Sequence, residues 1–252
     1  MGSARIFRAL LLAAAALATA PAAHADSNAL WHIVHDECVA NFTATGNPAP
    51  CRSLHFEGAS QRGDAILKDL IGATQFLLIP ITPASGIEDP AILAPDAPNY
   101  FADAWDARDL VRQNAHADLP RDALSLAVNA SAARSQRQLH IHIDCVRADV
   151  RDALHRLAGS IGTTWTALPE PLAGHRLRAM RIDGEALAAN PFRLLAATIP
   201  AAEMGSHTLV LVGITFADGT PGFILLDGQT DLLHGDLGSG EDLQDHACAV
   251  AR

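Results

Sequence analysis

Charged residues are scarce in this chain: Asp, Glu, Lys and Arg make up only 18% of its 252 residues, whereas apolar residues make up 49%. This balance excludes an intrinsically disordered protein, because such chains are poor in apolar residues and rich in charge. Positive charge is scarcer than negative, with 18 Lys and Arg against 28 Asp and Glu and a formal net charge of −10. Nucleic acid is therefore excluded as a partner, and an anionic substrate must be met by a local site. The length suits one large domain or two small ones.

The sequence also lacks an apolar run long enough to span a bilayer, which takes about 20 residues. Its leader has a run of only 12, from Ala9 to Ala20, between the basic Arg5 and Arg8 and the small-x-small motif at 23–25. This pattern is typical of a secretory signal peptide. We expect residues 1–25 to be removed on export to a bacterial periplasm; the alternative is an uncleaved leader that anchors the chain.

Cysteine is limited to four residues, and no C-x-x-C pair or neighbouring Cys–His pair provides the spacing of a structural metal site. An even count in an exported chain indicates disulfides, for which three pairings are possible. Cys38 and Cys51 form the local pair, across a loop rich in Gly and Pro, and this choice leaves Cys145 for Cys248. We expect these two bridges, and the second would pin the end of the chain to the middle of the sequence.

One stretch of strict alternation stands out in the middle of the chain. Its polar face carries Gln138, His140, His142 and Asp144, and its apolar face carries Leu139, Ile141, Ile143 and Cys145. A period of two predicts a strand with one face against a core, on which alternate side chains lie roughly 6–7 Å apart. Two neighbouring imidazoles indicate a metal site or phosphoryl chemistry. The simpler alternative is a pair of surface histidines on an edge strand. We expect Asp144 to face solvent or to pair with Arg147.

The remaining pattern predicts an α+β fold with an antiparallel sheet and covering helices. In the first half, the predicted elements are a helix at 28–40, a hairpin of strands at 64–70 and 75–81, a helix at 99–115 with Asn99 as its N-cap, and a strand at 123–129. In the second half, they are a helix at 149–160, a strand at 176–182, a helix at 185–198 despite Pro191, a hairpin at 208–216 and 222–226, and a short helix at 241–249 bearing Cys248. The order strand, helix, strand, strand recurs, so the second half is a candidate degenerate repeat of the first, although no sequence repeat is visible.

Several short motifs in one order carry a resemblance to a known family. The alternating strand resembles the histidine-triad signature, with Gln138 in the first His position and His140 and His142 in the second and third. Further matches are Leu67-Lys68-Asp69-Leu70, Trp105-Asp106-Ala107-Arg108-Asp109, Cys145-Val146-Arg147, Gly174-His175 and Gln244-Asp245-His246. Together they are similar to the bacterial CDP-diacylglycerol pyrophosphatase family of the histidine-triad (HIT-like) superfamily. The likeness covers nearly the whole of residues 26–252, with a catalytic half at 26–148 and a second α+β half at 149–252.

This resemblance implies a hydrolase that splits CDP-diacylglycerol into CMP and phosphatidate without a metal or other cofactor. His140 would be the nucleophile and His142 a donor to phosphoryl oxygens, with Ser135, Gln138 and Arg134 beside the phosphates. Asp69 would bind the ribose hydroxyls, and Asn129 would orient the loop or contact a phosphate. Simpler alternatives are a packing role for His142 and a turn-capping role for Asp69. For the second-half histidines we expect surface positions: His175, His207, His234 and His246.

Two other functions remain open at this point. One is histidine-triad chemistry on a soluble nucleotide, and the other is an exported metal-binding module. A chain of this length can fill the place of a partner subunit with its own second half, so we expect a monomer. A lipid substrate would put the protein at the surface of the inner membrane.

Overall fold

The structure is a computed structural model that describes residues 26–58 and 62–251. The expected signal peptide, residues 1–25, lies outside the described residues. In the part of the chain that the structure describes, nine strands form one sheet in which each neighbouring pair is antiparallel. The strands are β1 Ser53–Phe56, β2 Gly63–Lys68, β3 Phe76–Pro80, β4 Leu124–Val128, β5 Ile141–Cys145, β6 Thr166–Ala167, β7 Leu177–Asp183, β8 His207–Thr215 and β9 Pro221–Gln229. The α+β class is confirmed.

Among the described residues, six α-helical segments accompany the sheet. They are α1 Ala29–His32, α2 Ala40–Thr45, α3 Tyr100–Asp106, α4 Asp109–Ala115, α5 Ala148–Leu157 and α6 Pro191–Ala196. A π-helical segment, Ile33–Val39, joins α1 to α2 in one continuous N-terminal helix. This helix runs past the predicted end to Gly46, whose positive φ of 75° is a conformation that glycine adopts readily. No helix among the described residues has both the length and the apolar character needed to cross a membrane.

The sheet joins the two halves of the chain edge to edge. Its order is β1-β2-β3-β5-β4-β8-β9-β7-β6, so β4 pairs with β8, with Leu126 opposite Leu211. In the first half β3 is followed by helices, β4 and β5, and the spatial order is 3-5-4. In the second half β7 is followed by α6, β8 and β9, and the spatial order is 7-9-8. The strand order is therefore symmetric about the β4–β8 contact.

The two faces of the sheet are covered differently. One face, here called the core face, packs Leu126, Ile141 and Ile143 against buried side chains of α3, α4 and α6. The other face, here called the site face, carries two separate apolar clusters. The N-terminal helix covers β2 and β3, and α5 covers β8 and β9. Between the clusters lies a cross-strand row in which His142 stands between Leu77 and Ala127.

The C-terminal residues 240–248, here called the closing segment, run across β4 and β5 on the site face as far as His246, and Cys248 joins the apolar cluster of the core face. The side chain of Gln244 donates to the carbonyl oxygens of Ser125 at 3.2 Å and of His142 at 3.3 Å. A Cβ atom at Gly240 would lie 2.7 Å from the Thr208 hydroxyl, so only glycine allows the segment to approach this closely. Both predicted disulfides are present, and Cys145–Cys248 fastens the segment to β5.

Several predicted elements differ from the structure. The helix predicted at 185–198 begins only at Pro191, because proline lacks an N–H and is tolerated at a first helical position but not inside a helix. Asn190 caps it by accepting from the Phe192 amide. The helix predicted at 99–115 is divided into α3 and α4. Asn99 holds the N-cap position, but its side chain donates to the carbonyls of Leu187 and Ala189 instead of capping the helix.

Two further corrections concern the edge and the end of the chain. The edge strand β1 was not predicted, since four residues of mixed exposure give only a weak alternation. The helix predicted at 241–249 is wrong: short 3-10 turns at Gly240–Leu243 and Ala249–Ala251 flank an irregular stretch, and Cys248 has a positive φ of 50°. The backbone of the segment instead pairs with the end of β5: the Arg147 N–H donates to the Leu243 carbonyl at 3.0 Å, and the Asp245 N–H donates to the Cys145 carbonyl at 2.9 Å.

Candidate active site

His140 lies just before β5 and is 8% exposed. Its Nδ1 atom is 2.8 Å from the backbone carbonyl oxygen of Gln138. A carbonyl can only accept, so Nδ1 carries the hydrogen and Nε2 keeps its lone pair. Burial lowers the pKa of His140 below 6.5, although the bond to Gln138 opposes this shift. The residue is therefore a neutral imidazole whose Nε2 atom is available as a nucleophile.

His142 is the next residue on the same face, and its ring meets that of His140 edge to face with centroids 4.8 Å apart. Its Nδ1 atom receives a hydrogen bond of 2.9 Å from the Gln75 side-chain amide and lies 3.1 Å from Oε1 of Glu241. Burial, followed by the nearby charges of His140 and His246, lowers its pKa well below 6.5. Nε2 has no partner in the described structure, and it carries the hydrogen in the tautomer whose Nδ1 accepts from Gln75. Such an N–H can donate to a phosphoryl oxygen.

Glu241 of the closing segment was not singled out from the sequence, yet its carboxylate contacts Asn129, Gln75 and His142. Its carboxylate accepts hydrogen bonds from the side-chain amides of Asn129 at 2.6 Å and Gln75 at 3.1 Å. Its backbone N–H in turn donates to Asn129 Oδ1 at 3.3 Å. Asn129 thus holds the closing segment beside β5 and orients Glu241 toward His142.

Asp144 does not face solvent, and it does not pair with Arg147, so both expectations for it were wrong. It is fully buried and accepts hydrogen bonds from Thr74 Oγ1 at 2.6 Å and from the Cys145 amide at 2.8 Å. Its other oxygen lies 2.7 Å from Nδ1 of His246. The closing segment buries this polar face, because it brings His246 over Asp144.

His246 is half-buried at the site, contrary to the expected surface position. Its hydrogen bond to Asp144 raises its pKa above 6.5, and the negative charges of Asp144 and Glu241 act in the same direction. Its Nε2 atom lies 4.0 Å from Oε1 of Glu241. Asp144, His246 and Glu241 therefore form a row of ionisable side chains that leads from β5 through the closing segment to His142.

Gln138 is buried and fully hydrogen-bonded. Its amide nitrogen donates to the carbonyls of Pro80 at 2.8 Å and Thr82 at 2.9 Å, and its oxygen accepts from the Ala84 amide at 3.3 Å. Both amide hydrogens thus bond to backbone carbonyls, one at the last residue of β3 and one in the stretch that follows it. These side-chain bonds fix the position of Gln138, whose own backbone carbonyl oxygen is the hydrogen-bond partner of His140 Nδ1.

Arg134 and Ser135 lie on the loop that leads to His140. The guanidinium of Arg134 binds the Glu88 carboxylate in a two-point ion pair, in which one N–O distance is 2.7 Å. It lines a narrow cleft with Gly86, Val128, Asn129, Leu139 and His140. Ser135 is exposed. The positive charge of Arg134 is therefore beside His140 but is balanced by Glu88.

Asp69 follows β2 at the hairpin turn. Its Oδ1 atom accepts from the Ile71 amide at 3.0 Å, as expected of a turn cap. Its negative charge also contributes to raising the pKa of both His140 and His246, against the effect of burial. One carboxylate oxygen remains for a ligand hydroxyl.

Two other second-half histidines are buried away from the site, so their expected surface positions were wrong. His207 lies 2.7 Å from Asp227, beside a cavity of about 460 Å³ that also contacts Arg178. His175 lies between Asp236 and Asp242 at 2.9 and 3.0 Å. His234 is exposed, as expected. Within residues 26–58 and 62–251, no three His, Cys, Asp or Glu side chains are grouped closely enough to hold a metal ion.

Comparisons with known proteins agree with the sequence motifs. The family model of CDP-diacylglycerol pyrophosphatase matches residues 25–252. A protein of Yersinia pestis named CDP-diacylglycerol pyrophosphatase is 38% identical over 228 residues, which cover 89% of this chain and 85% of that protein. The chain belongs to the CDP-diacylglycerol pyrophosphatase family, a family of hydrolases.

Proposed function

We propose that this chain hydrolyses CDP-diacylglycerol to CMP and phosphatidate in two steps, with His140 as the nucleophile. The observation that supports this assignment is the hydrogen bond from His140 Nδ1 to the Gln138 carbonyl. It fixes the tautomer in which Nε2 bears the lone pair, and burial keeps the ring neutral. A neutral, oriented imidazole is the form that can attack phosphorus.

In the first step, Nε2 of His140 attacks the phosphorus that carries the cytidine. A P–N bond forms, and the bond from this phosphorus to the bridging oxygen breaks, so that its electron pair leaves with phosphatidate. In the second step, water attacks the same phosphorus and the P–N bond breaks. The electron pair returns to Nε2, CMP leaves, and the proton of the water passes to solvent.

His142 would stabilise the charge that develops on the phosphoryl oxygens. Its unpartnered Nε2–H is the donor, and Gln75 holds the ring by donating to Nδ1, while Glu241 accepts from the same Gln75 amide. A donor that is fixed before the reaction stabilises the transition state without reorganisation. We assign Glu241, Gln75 and Gln138 to positioning, since Glu241 accepts from Gln75 and Asn129 beside His142 and Gln138 donates to the backbone.

The substrate would lie across β5 with a defined direction. Asp69, at one end of the site, has a carboxylate oxygen available for the ribose hydroxyls. Ser135 and Arg134 lie at the other end, on the loop before His140, where the phosphatidate phosphate would sit. The diacylglycerol tails would then leave the protein at the end where this loop is found.

The strand order supports a histidine-triad-like architecture with an internal repeat. If β5 and β9 correspond, the histidine column of β5 is replaced in β9 by the apolar residues Ile224 and Leu226, which pack under α5. We propose that the second half of the chain, residues 149–252, is a repeat without catalytic side chains. It occupies the place of a partner subunit on β4, so the chain acts as a monomer.

The compartment follows in part from the two disulfides, which indicate a protein that is extracellular or periplasmic. We propose that the protein works in the periplasm at the inner-membrane surface. A substrate that carries two acyl chains is available there, and the leader at 1–25 directs export.

The test is a rapid-quench experiment with CDP-diacylglycerol labelled in the cytidine phosphate. The parent should form an acid-labile, alkali-stable CMP adduct on His140, and His140→Ala should lose both adduct and turnover. The exposed His116 provides a matched control, since His116→Asn should keep both. Full turnover by His140→Ala would overturn the assignment. A parent that prefers a water-soluble CDP-alcohol would point to a soluble nucleotide substrate, and one that binds metal without hydrolysis would point to a metal-binding module.

A further inference from the structure

Three leucines project into solvent from residues 230–238, here called the leucine loop. Leu233 is 94% exposed, Leu232 68% and Leu237 47%. The loop has a defined shape, since the backbones of Asp231 and Asp236 exchange hydrogen bonds of 2.8 and 2.9 Å. The fold thus holds large apolar side chains in water where they add nothing to the core, and such exposure marks an interaction surface.

The leucine loop lies at the same end of the sheet as the entrance to His140. The Ala130 amide, one residue beyond Asn129, donates to the Gly238 carbonyl at 2.9 Å. The start of the described chain is at this end too. Arg137 donates its backbone N–H to the Ser27 carbonyl at 2.7 Å, and Gln136 donates its side-chain amide to the Asp26 carbonyl at 3.0 Å.

We propose that the leucine loop inserts into a lipid surface and so sets the entrance of the active site on the bilayer. The inference rests on the proposed function, in which the acyl chains of the substrate leave the site at this end. It identifies which surface of the molecule meets the membrane. The 25 residues before Asp26 include an apolar run of 12, so they too would bring lipid to this end of the protein while they remain attached.

The charges around the loop define the kind of lipid. Asp231 and Asp236 flank the leucines. Asp231 bonds to His234 at 2.6 Å, and the side chain of Asp236 is only 17% exposed and bonds to His175 at 2.9 Å. The loop contains no Lys or Arg that would attract an anionic surface. Insertion is thus driven by the apolar side chains, and binding to zwitterionic phosphatidylcholine and phosphatidylethanolamine vesicles should change little with salt.

The opposite end of the sheet offers a matched control. Leu70 is 99% exposed and Ile71 is 62% exposed at the turn between β2 and β3, beyond the other end of β5. A double variant there removes as much exposed apolar surface as one in the leucine loop. The lipid-insertion proposal predicts an effect for the leucine loop alone.

The experiment compares the full chain with Leu232→Ser/Leu233→Ser and with Leu70→Ser/Ile71→Ser. Rates are measured on CDP-diacylglycerol in zwitterionic vesicles and on a water-soluble CDP-alcohol. The leucine-loop variant should lose roughly tenfold or more of its rate on vesicles and keep its rate on the soluble substrate. The control variant should keep both rates.

Equal rates on vesicles for the parent and the leucine-loop variant would overturn the proposal. It would also be overturned if, without lipid, the parent sediments as a dimer and the leucine-loop variant as a monomer, since the surface would then serve a second copy of the chain. A parent inactive on both CDP substrates would refute the proposed function instead. In that case, loss of vesicle co-sedimentation by the leucine-loop variant alone would still support insertion.

Discussion

His140 is oriented by the residue two positions before it: its Nδ1 atom donates to the carbonyl oxygen of Gln138 at 2.8 Å. The side chain of Gln138 meanwhile fixes the same stretch of backbone by bonding to the carbonyls of Pro80 and Thr82. A single residue thus supplies the acceptor that sets the tautomer of His140 and the contacts that hold this acceptor in place. A glutamine in the first position of the histidine pattern acts through its hydrogen bonds to the backbone.

The first prediction concerns the pH dependence of the reaction. The nucleophile must be neutral, and burial lowers the pKa of His140, so the ring stays neutral to a pH below 6.5. The acidic limb of kcat/KM should therefore lie below pH 6.5. A profile of kcat/KM measured between about pH 4 and pH 8 checks this. An acidic limb above pH 6.5 would show that His140 is not a buried, neutral nucleophile.

The second prediction concerns Glu241. Glu241→Gln removes the charge that accepts from Asn129 and Gln75 and that lies beside His142. A hydrogen bond to a charged group contributes about 1.5–3 kcal/mol, so we expect kcat to fall roughly tenfold or more with a smaller change in KM. Steady-state kinetics measures both constants. The exposed Glu203 gives the control, because Glu203→Gln should retain parental kinetics, and equal kinetics for the two variants would remove Glu241 from the site.

The third prediction separates the two disulfides. Cys145 and Cys248 are 103 residues apart and Cys38 and Cys51 are 13 apart, so chain entropy predicts losses of about 4–5 and about 3 kcal/mol in the free energy of unfolding. The longer bridge also fastens the closing segment, which carries Glu241 and His246. Cys145→Ala/Cys248→Ala should therefore reduce kcat at temperatures where it remains folded, whereas Cys38→Ala/Cys51→Ala should mainly reduce stability. Denaturation and kinetics of both double variants test this, and equal kcat values would contradict it.

The fourth prediction concerns the ion pair between His246 and Asp144. The bond to Asp144 raises the pKa of His246 in the folded state, so its contribution to stability is fully present below pH 6.5 and is lost as pH rises through the raised pKa. The stability difference between the parent and His246→Asn should be larger at pH 6 than at pH 9. Urea denaturation at both pH values measures it. The lowered pKa of His140 affects both proteins alike and cancels in the difference. His246 contributes to the lowered pKa of His142, but burial is the largest cause of that shift and is present in both proteins. If the difference in the free energy of unfolding between the two proteins did not change with pH, the ion pair between His246 and Asp144 would be excluded.

The features that the sequence predicted correctly depend on residues that are close to each other along the chain. Strict alternation placed His140 and His142 on one face, although His140 lies just before β5, and the short connection predicted at 71–74 defined the hairpin. Asp144 shows the limit of this reasoning. A period of two separates two faces, but it does not show which face is covered by a segment without regular structure.

Glu241 and His246 were missed because they are separated from His142 by about a hundred residues and only the fold brings them together. A signal was nevertheless present. The bridge expected between Cys145 and Cys248 required the end of the chain to lie against β5, and the motif Gln244-Asp245-His246 falls within that end. The disulfide and the motif, taken together, predict an imidazole from the C-terminal residues at the catalytic strand, whereas Glu241 lies outside the motif.

The contact between β4 and β8 also affects how the protein is made. Until β8 has been synthesised, β4 presents a row of unpaired backbone groups among apolar side chains, which can recruit strands from other molecules. A fragment that ends at residue 148 would keep this edge permanently, so we expect it to aggregate even though it contains every proposed catalytic side chain. The second half thus covers an edge that would otherwise promote aggregation. We expect the catalytic half to be protected from aggregation only after β8 has been synthesised and has paired with β4.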